Sequence, residues 1–536
     1  MKLTLAYTDW IVFIIMLSGS LILGLFLSAK FRSGENSSNF FLAGRKLTWP
    51  FIGASLFATN IGAEHLVGLS GDSYRYGLCA GTVELTTVFC LGFASAFLFP
   101  YYIKNRVFTI PEFLEMRYNS AARTFFSGLM LVVCIMTKMA FTLYAGALVL
   151  NSLLGWNVMS VVFALAVVTA TITIIGGFAA VAFTDTIQTF IMILGGALTL
   201  FTGLQMVGGW DELVRRVPEA MNIAHPYDDP NYPFIGAIAG GIYGGIFYWG
   251  IDQVNVQRVL GAPDLKHARW GAMFAAFLKL TPVFIFALPG VIALALFPGL
   301  QGDDTRQVFV VLLGKLLPAG IRGLVLAALL AAIISSLDGV MNSISTMVVR
   351  DFFLKYRPET GEHSQVWIGR FAIIVSAVLG VGAAILVWKT PGGLYKYLQT
   401  ISIYFVMPVA PAIVFGILSR RVTMKAAVIS VLAGIFFAIL FVTDQLMGLE
   451  TATKLFPFLH YKLTTNFYYR GLWGTIIIIA VLFAVSFVTE KTPAEKLEKT
   501  TVKWEKQKEP FTGLKDWRLQ FFVLLLATFV LYVWLW

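Results

Sequence analysis

The chain reads as an all-α protein that crosses a membrane many times, and three observations carry that reading. Hydrophobic residues make up 58% of it and charged residues only 13%, with a mean hydropathy of +0.79; soluble domains carry roughly 25% charge. Fourteen apolar stretches approach the spanning length of about 20 residues. Lys and Arg collect in alternate short loops between them, so the net charge of +11 orients the protein in a bilayer and does not point to nucleic acid.

The stretches run in order over 8–28, 48–67, 77–103, 122–151, 156–175, 181–208, 233–257, 271–297, 320–349, 366–388, 393–417, 424–444, 470–489 and 517–535. The first 28 residues begin with one Lys, Lys2, run apolar for about 20 residues and have no small-residue cleavage pattern, so they read as a retained helix and not a signal peptide. Basic clusters follow the odd spans: Lys30, Arg32, Arg45 and Lys46, then Lys104, Arg106 and Arg117, then Arg258, Lys266 and Arg269, then Arg350, Lys355 and Arg357, and then Arg420, Arg421 and Lys425. Alternate loops carry Asp211, Glu212, Asp228, Asp229, Asp303 and Asp304 instead. By the positive-inside rule the loops after odd spans are cytoplasmic and both termini lie outside. Residues 490–516 read as a basic, solvated, partly helical cytoplasmic linker. Cys79, Cys90 and Cys134 lie in or near spans without metal-ligand spacing, which makes them small core residues and favours a bacterial inner membrane over an animal cell surface.

Two spans are interrupted by residues that lipid would reject. In residues 54–73, Ala58, Thr59, Asn60, Gly62, Glu64 and His65 sit where the bilayer is deepest, and unsatisfied or charged groups there cost several kcal/mol. They must face a cavity or another helix, and the stretch reads as a broken helix whose freed backbone groups line a site. Span 7 holds six glycines from Gly236 to Gly250, then Tyr248 and Trp249, then Asp252 and Gln253. Glycines alone are equally compatible with close helix packing. Spans 2 and 7, however, lie five apart and run in opposite directions, so each can open one of two inverted five-helix repeats, 48–208 and 233–418, joined by an extracellular loop over 209–232. Residues 1–47 then form a first helix and loop, and 419–536 form peripheral helices.

Several segments together resemble the sodium/solute symporter family, and within it the sodium/sugar cotransporters. They are FFLAGRKLTWPFIGASLFATNIGAEHLVGLSG at 40–71, FTIPEFLEMRY at 108–118, GGFAAVAFTDTIQ at 176–188, FYWGIDQVNVQR at 247–258, FAAFLKL at 274–280, ALLAAIISSLDGVMNSIST at 328–346 and YLQ at 397–399. The resemblance implies a LeuT-like fold with a 5+5 inverted-repeat core, working by alternating access.

It also implies the site residues. The main sodium ion would take the carbonyls of Ala58, Ile61 and Ala332 and the hydroxyls of Ser335 and Ser336, hard oxygen ligands that suit a small cation. Asp185 stands where family members with a second ion place an aspartate, and a buried acid there needs a cation or a basic partner. Those members carry hydroxyls where this chain has Asp338 and Gly339; Asp338 could ligate more strongly, or pair with Lys138 to hold helices together. The substrate positions are Asn60, His65, Glu84, Lys279 and Gln399, with Tyr248 and Trp249 as aromatic wall or inner gate. That mixture of carboxylate, amide and cation suits a ring of hydroxyls. Each residue also has a plainer reading: an interior histidine, a structural Glu84–Lys279 ion pair, or a packing tryptophan.

The expectation is a multi-pass plasma-membrane symporter, monomeric or weakly oligomeric, that couples Na+ to a neutral monosaccharide or related polyol. A symporter for sialic acid, a carboxylate or inositol, or a transporter-like sensor or channel, are the alternatives. No nucleophile with a paired base points to an enzyme.

Overall fold

The computed structural model describes residues 5–29, 36–300, 308–389, 408–447, 466–503 and 510–536. Its helices are α1 (Tyr7–Ser28), α2 (Trp49–Asn60), α3 (Thr82–Phe97), α4 (Ser120–Leu154), α5 (Val158–Val207), α6 (Phe234–Gly250), α7 (Gln253–Leu260), α8 (Leu265–Leu296), α9 (Ile321–Tyr356), α10 (Glu362–Lys389), α11 (Pro408–Leu418), α12 (Met424–Met447), α13 (Phe467–Val488) and α14 (Trp517–Trp534). Among the described residues, ten helices are long and apolar enough to cross a membrane, or eleven when α6 and α7, bent by 51°, count as one span.

The difference from fourteen predicted spans has local causes. Span 2 is too short to count because α2 stops at Asn60 and resumes as a wide turn over Glu64–Leu69. Spans 5 and 6 form one 50-residue helix, α5, bent where Gly177 takes φ 57°, a left-handed conformation that glycine adopts without strain. Much of span 11 lies outside the described residues.

Helix starts follow their capping residues. Asn119, Asp264, Asn466 and Asp516 each accept a backbone N–H from the first turn of the helix they precede.

Burial sorts the helices into centre and rim. The most apolar stretch of α9 is fully buried, whereas 17% of that of α1 and 11% of that of α14 are. The rim exposes apolar side chains such as Ile15 on α1, Phe371 on α10, Phe436 on α12 and Phe529 on α14, the composition of a lipid-facing girdle. α2 and α8 cross closely: a Cβ on Gly53 would stand 2.6 Å from the Gly271 carbonyl oxygen, so only glycine allows this approach.

The segment expected as a solvated linker is docked instead. Its helix Ala494–Thr500 buries Leu497 and Thr500, Val502 N–H donates to Ile417 O at 2.8 Å, and Lys496 donates to Tyr118 O at 2.7 Å. Apolar residues spaced among its lysines anchor it beneath the helix ends.

Candidate substrate and ion site

Four of the predicted substrate residues come together in one buried cluster. Glu84 lies in the first turn of α3, where the helix dipole favours a carboxylate. Lys279 lies in the middle of α8 where regular helix ends at Leu278, and it is 1% exposed. Its ammonium donates to Asn60 Oδ1 at 2.5 Å and to Glu84 Oε2. His65 is buried; its Nδ1 accepts the Gly62 N–H at 3.4 Å, which leaves Nε2–H to face Glu84 Oε1 at 3.3 Å. Three elements separated by long stretches of sequence thus share one network, from the break after α2, the start of α3 and the interruption of α8.

The aromatic pair borders the cluster. Tyr248 and Trp249 meet edge to face at 5.0 Å, and the Lys279 ammonium lies 5.9 Å from the Trp249 ring centre. Trp249 is buried and Tyr248 partly so. Gln399 falls outside the described residues.

Glu64 also belongs to this neighbourhood, beyond the substrate positions that the sequence implied. Its Oε1 is 3.8 Å from His65 Nδ1, while its Oε2 is buried without a hydrogen-bond partner. A carboxylate at membrane depth beside Asn60 and His65 was the signal available in the sequence.

The break in span 7 is held by a different ion pair. Lys138 on α4 pairs with Asp252, which also caps α7 by accepting the Val254 N–H at 3.2 Å. Asn255 donates to the Tyr248 carbonyl at 3.0 Å, replacing the ladder bond lost at the bend. Lys138 therefore does not pair with Asp338, as one reading of the sequence had it; Asp252 takes that charge.

The predicted ion residues gather between α2, α5 and α9. Ser336 donates to the Thr59 carbonyl at 3.2 Å, between Ala58 and Ile61, and Ala332 lies one turn earlier on α9. α2 ends in an extended Ile61 (φ −80°, ψ 110°), and the Gly62 N–H turns to His65 and does not continue the ladder toward Ala58. Asp185 on α5 is fully buried; Ser335 donates to its Oδ1 at 2.5 Å, Ser55 to its Oδ2 at 2.5 Å, and Thr59 to the same oxygen at 3.4 Å. Arg258 Nη2 approaches Asp185 at 3.6 Å. Asp338 is fully buried, and neither of its carboxylate oxygens has a hydrogen-bond partner. Two buried carboxylates thus share the neighbourhood of one guanidinium.

Several motif residues prove to hold the basic side together. Thr109 caps the helix over Ile110–Arg117 and donates to Asp351 Oδ1 at 2.7 Å; Ser127 and Arg123 bind the same carboxylate at 2.8 and 2.9 Å. The Phe108 ring has the guanidinium groups of Arg45 and Arg350 at 5.1 and 3.7 Å from its centre. Gln257 on α7 donates to Phe41 O and Thr346 Oγ1.

A many-span protein whose two broken helices meet a buried polar cluster has the architecture of a secondary transporter. The chain matches the sodium:solute symporter family over residues 40–434 and belongs to it. It is 32% identical to the human sodium/myo-inositol cotransporter over 441 residues, 74% of this chain and 61% of that protein. It is also 32% identical to the sodium/glucose cotransporter of Vibrio parahaemolyticus over 469 residues, 81% of this chain and 85% of that one. The match thus spans about three fifths of the length of the myo-inositol cotransporter but most of the bacterial one. Its fold resembles that of a Na+-coupled sialic acid symporter solved in a substrate-bound outward-open state, with a TM-score of 0.77 at 20% identity, covering 91% of this chain and 99% of that one. It also resembles Mhp1, a nucleobase-cation-symport-1 transporter, with a TM-score of 0.58 at 14% identity, covering 88% and 99%. The fold is the LeuT-like fold of sodium symporters.

Proposed function

We propose that the protein is a sodium-coupled symporter that imports a neutral monosaccharide or related polyol, inositol included, across a bacterial inner membrane by alternating access. The observation that carries this reading is the Lys279–Glu84–His65–Asn60 network at the break of α2. It offers acceptors and donors in mixed array, as a ring of hydroxyls requires. Relatives named as myo-inositol and glucose cotransporters support it. Glu84 already neutralises Lys279, which leaves the ammonium poorly placed to bind a substrate carboxylate and weighs against an acidic solute.

Sodium, as the coupled substrate, would lie between Ala58, Ile61, Ala332, Ser335 and Ser336. Asp185 and Asp338 would hold a second ion, since two buried carboxylates beside one arginine leave excess negative charge. The number of ions sets the work available. At 100 mV one sodium contributes roughly 2.3 kcal/mol, and a tenfold gradient adds about 1.4. One ion then supports roughly 500-fold accumulation of a neutral solute, and two on the order of 10⁵-fold.

Uptake of radiolabelled hexoses and inositols into proteoliposomes tests the reading. An inward sodium gradient should drive accumulation of at least one of them, and equal uptake in potassium would refute symport.

A further inference from the structure

We infer that the protein binds the phosphate headgroup of an anionic membrane lipid in a cavity on its basic side, where α8 and α14 begin. The cavity has a volume of about 390 Å³, and among the described residues Lys266, Arg269, Lys515 and Arg518 line it together with Trp270, Trp517 and one carboxylate, Asp516.

Two of the cations are fixed in place by the fold. Arg269 is buried, donates to Ser95 O at 3.0 Å and lies 4.7 Å from the Trp517 ring centre. Arg518 grips Asp516 with both arms, at 2.9 and 2.6 Å, so that carboxylate is already engaged. The other two are exposed, and among the described residues no carboxylate pairs with Lys266 or Lys515. The Lys266 ammonium rests 4.8 Å from the Trp270 ring centre, and the Trp270 indole N–H donates to Lys515 O at 3.0 Å, so tryptophan positions both lysines at the cavity.

Position in the bilayer selects a lipid. Both helices enter the membrane from here, Trp at such a level is the usual interfacial anchor, and basic pockets between helix ends on the cytoplasmic side suit anionic headgroups. An apolar track leads away from the cavity: Phe522, Leu526 and Phe529 on one face of α14, and Phe277 on α8, are all exposed and would lie along acyl chains. The cavity also sits at the foot of the transport helices. Trp270 packs edge-on against Trp49, 6.2 Å away, which opens the helix ending at Asn60, and α8 leads to Lys279.

The test is native mass spectrometry of the purified full chain with phosphatidylglycerol, phosphatidylcholine or inorganic phosphate added. Wild-type protein should retain phosphatidylglycerol in preference to phosphatidylcholine, and inorganic phosphate should not displace it. Lys266→Ala with Lys515→Ala should weaken phosphatidylglycerol binding by about fivefold per lysine, or about 30-fold for the pair. Lys266→Arg with Lys515→Arg, which retains the charge and controls for folding, should bind as wild type. Equal retention of both lipids, or undiminished binding by a folded alanine pair, would overturn the inference. Displacement by inorganic phosphate alone would assign the cavity to a soluble anion and overturn the lipid as its occupant.

Discussion

Replacing Lys279 with Met separates a cluster that handles substrate from one that only ties helices together. The Lys279 ammonium is 1% exposed and bonds Asn60 and Glu84. Removing it leaves the Glu84 carboxylate, 16% exposed, with His65 at 3.3 Å as its remaining partner. Breaking a buried pair from one side costs about 3–5 kcal/mol, and partial exposure of Glu84 places this case near 3. Glu84→Gln strands the lysine in turn, at about 3 kcal/mol. The double variant carries neither charge and should be no less stable than either single one, which gives a coupling of about 3 kcal/mol. Denaturation of the four proteins in detergent measures this. Uptake should follow a different order. A hydrogen bond between a hydroxyl and a charged group contributes about 1.5–3 kcal/mol, so each single variant should lose roughly 10- to 150-fold in uptake efficiency, and the double variant should recover none of it. Additive stability losses would show that the two groups do not interact. Wild-type uptake in a stable double variant would reduce the pair to scaffolding and refute the proposed pocket.

Ser336→Ala removes the hydroxyl that bridges α9 to Thr59 O. It should raise the sodium needed for half-maximal uptake about tenfold, the equivalent of one lost hydrogen bond of ~1.4 kcal/mol; unchanged sodium dependence would exclude it as a ligand. Asp252→Asn leaves Lys138 unpaired beside the α6–α7 bend and should lower the melting temperature and slow turnover, whereas a variant as stable as wild type would show that the pair does not hold the bend. Asp351→Ala removes the acceptor shared by Thr109, Ser127 and Arg123 and should cost about 3 kcal/mol or more, measured by denaturation. Polar contacts this dense on the basic side should also make the variant leak substrate without sodium, and tight sodium dependence in it would exclude a role in closure. Sugar affinity, measured by calorimetry in sodium and in choline, should differ 5- to about 150-fold, and equal affinities would exclude coupling through α2.

That the chain is a set of apolar helices with two breaks was legible because bilayer thickness and desolvation act locally on sequence. Asn60, His65 and Gly62 announce a break by composition alone. Contacts across the molecule were legible only in part. Lys138 was considered only as a partner for Asp338, and nothing in the spacing of α4 and α7 says that a helix crossing brings Asp252 to it instead. Residues 494–502 looked solvated because Glu and Lys alternate through them inside a basic segment, yet Leu497 and Val502 supply enough apolar surface to dock it. The cavity between Arg269 and Arg518 involves residues that each look like ordinary loop cations until two helix starts bring them together.

The last turn of α2 explains how ion and substrate could communicate. Ser55, a turn earlier, and Thr59 bond Asp185 on α5, the Thr59 carbonyl receives Ser336 from α9, and Asn60 receives Lys279 from α8. Adjacent residues thus face the proposed ion side and the proposed substrate side, just where the helix ends and Ile61 turns extended. A cation drawing α9 toward the Ala58 and Ile61 carbonyls would fix that backbone, and with it the angle at which Asn60 meets Lys279 and Glu84. The coupling must be reciprocal: whatever affinity sodium lends the polyol, the polyol lends sodium. Moving a carrier from about 1% to about 99% occupancy of its closed form needs roughly 5.5 kcal/mol of differential binding. That differential affinity is separate from the roughly 3.7 kcal/mol one sodium gains by crossing at 100 mV down a tenfold gradient, which sets how far the substrate accumulates and not which form the carrier prefers. The shift must come from contacts made better in the closed form than in the open one, and on the proposed reading these are the substrate's bonds to the Lys279–Glu84 pair and the cation's to the Ser336 side of α9.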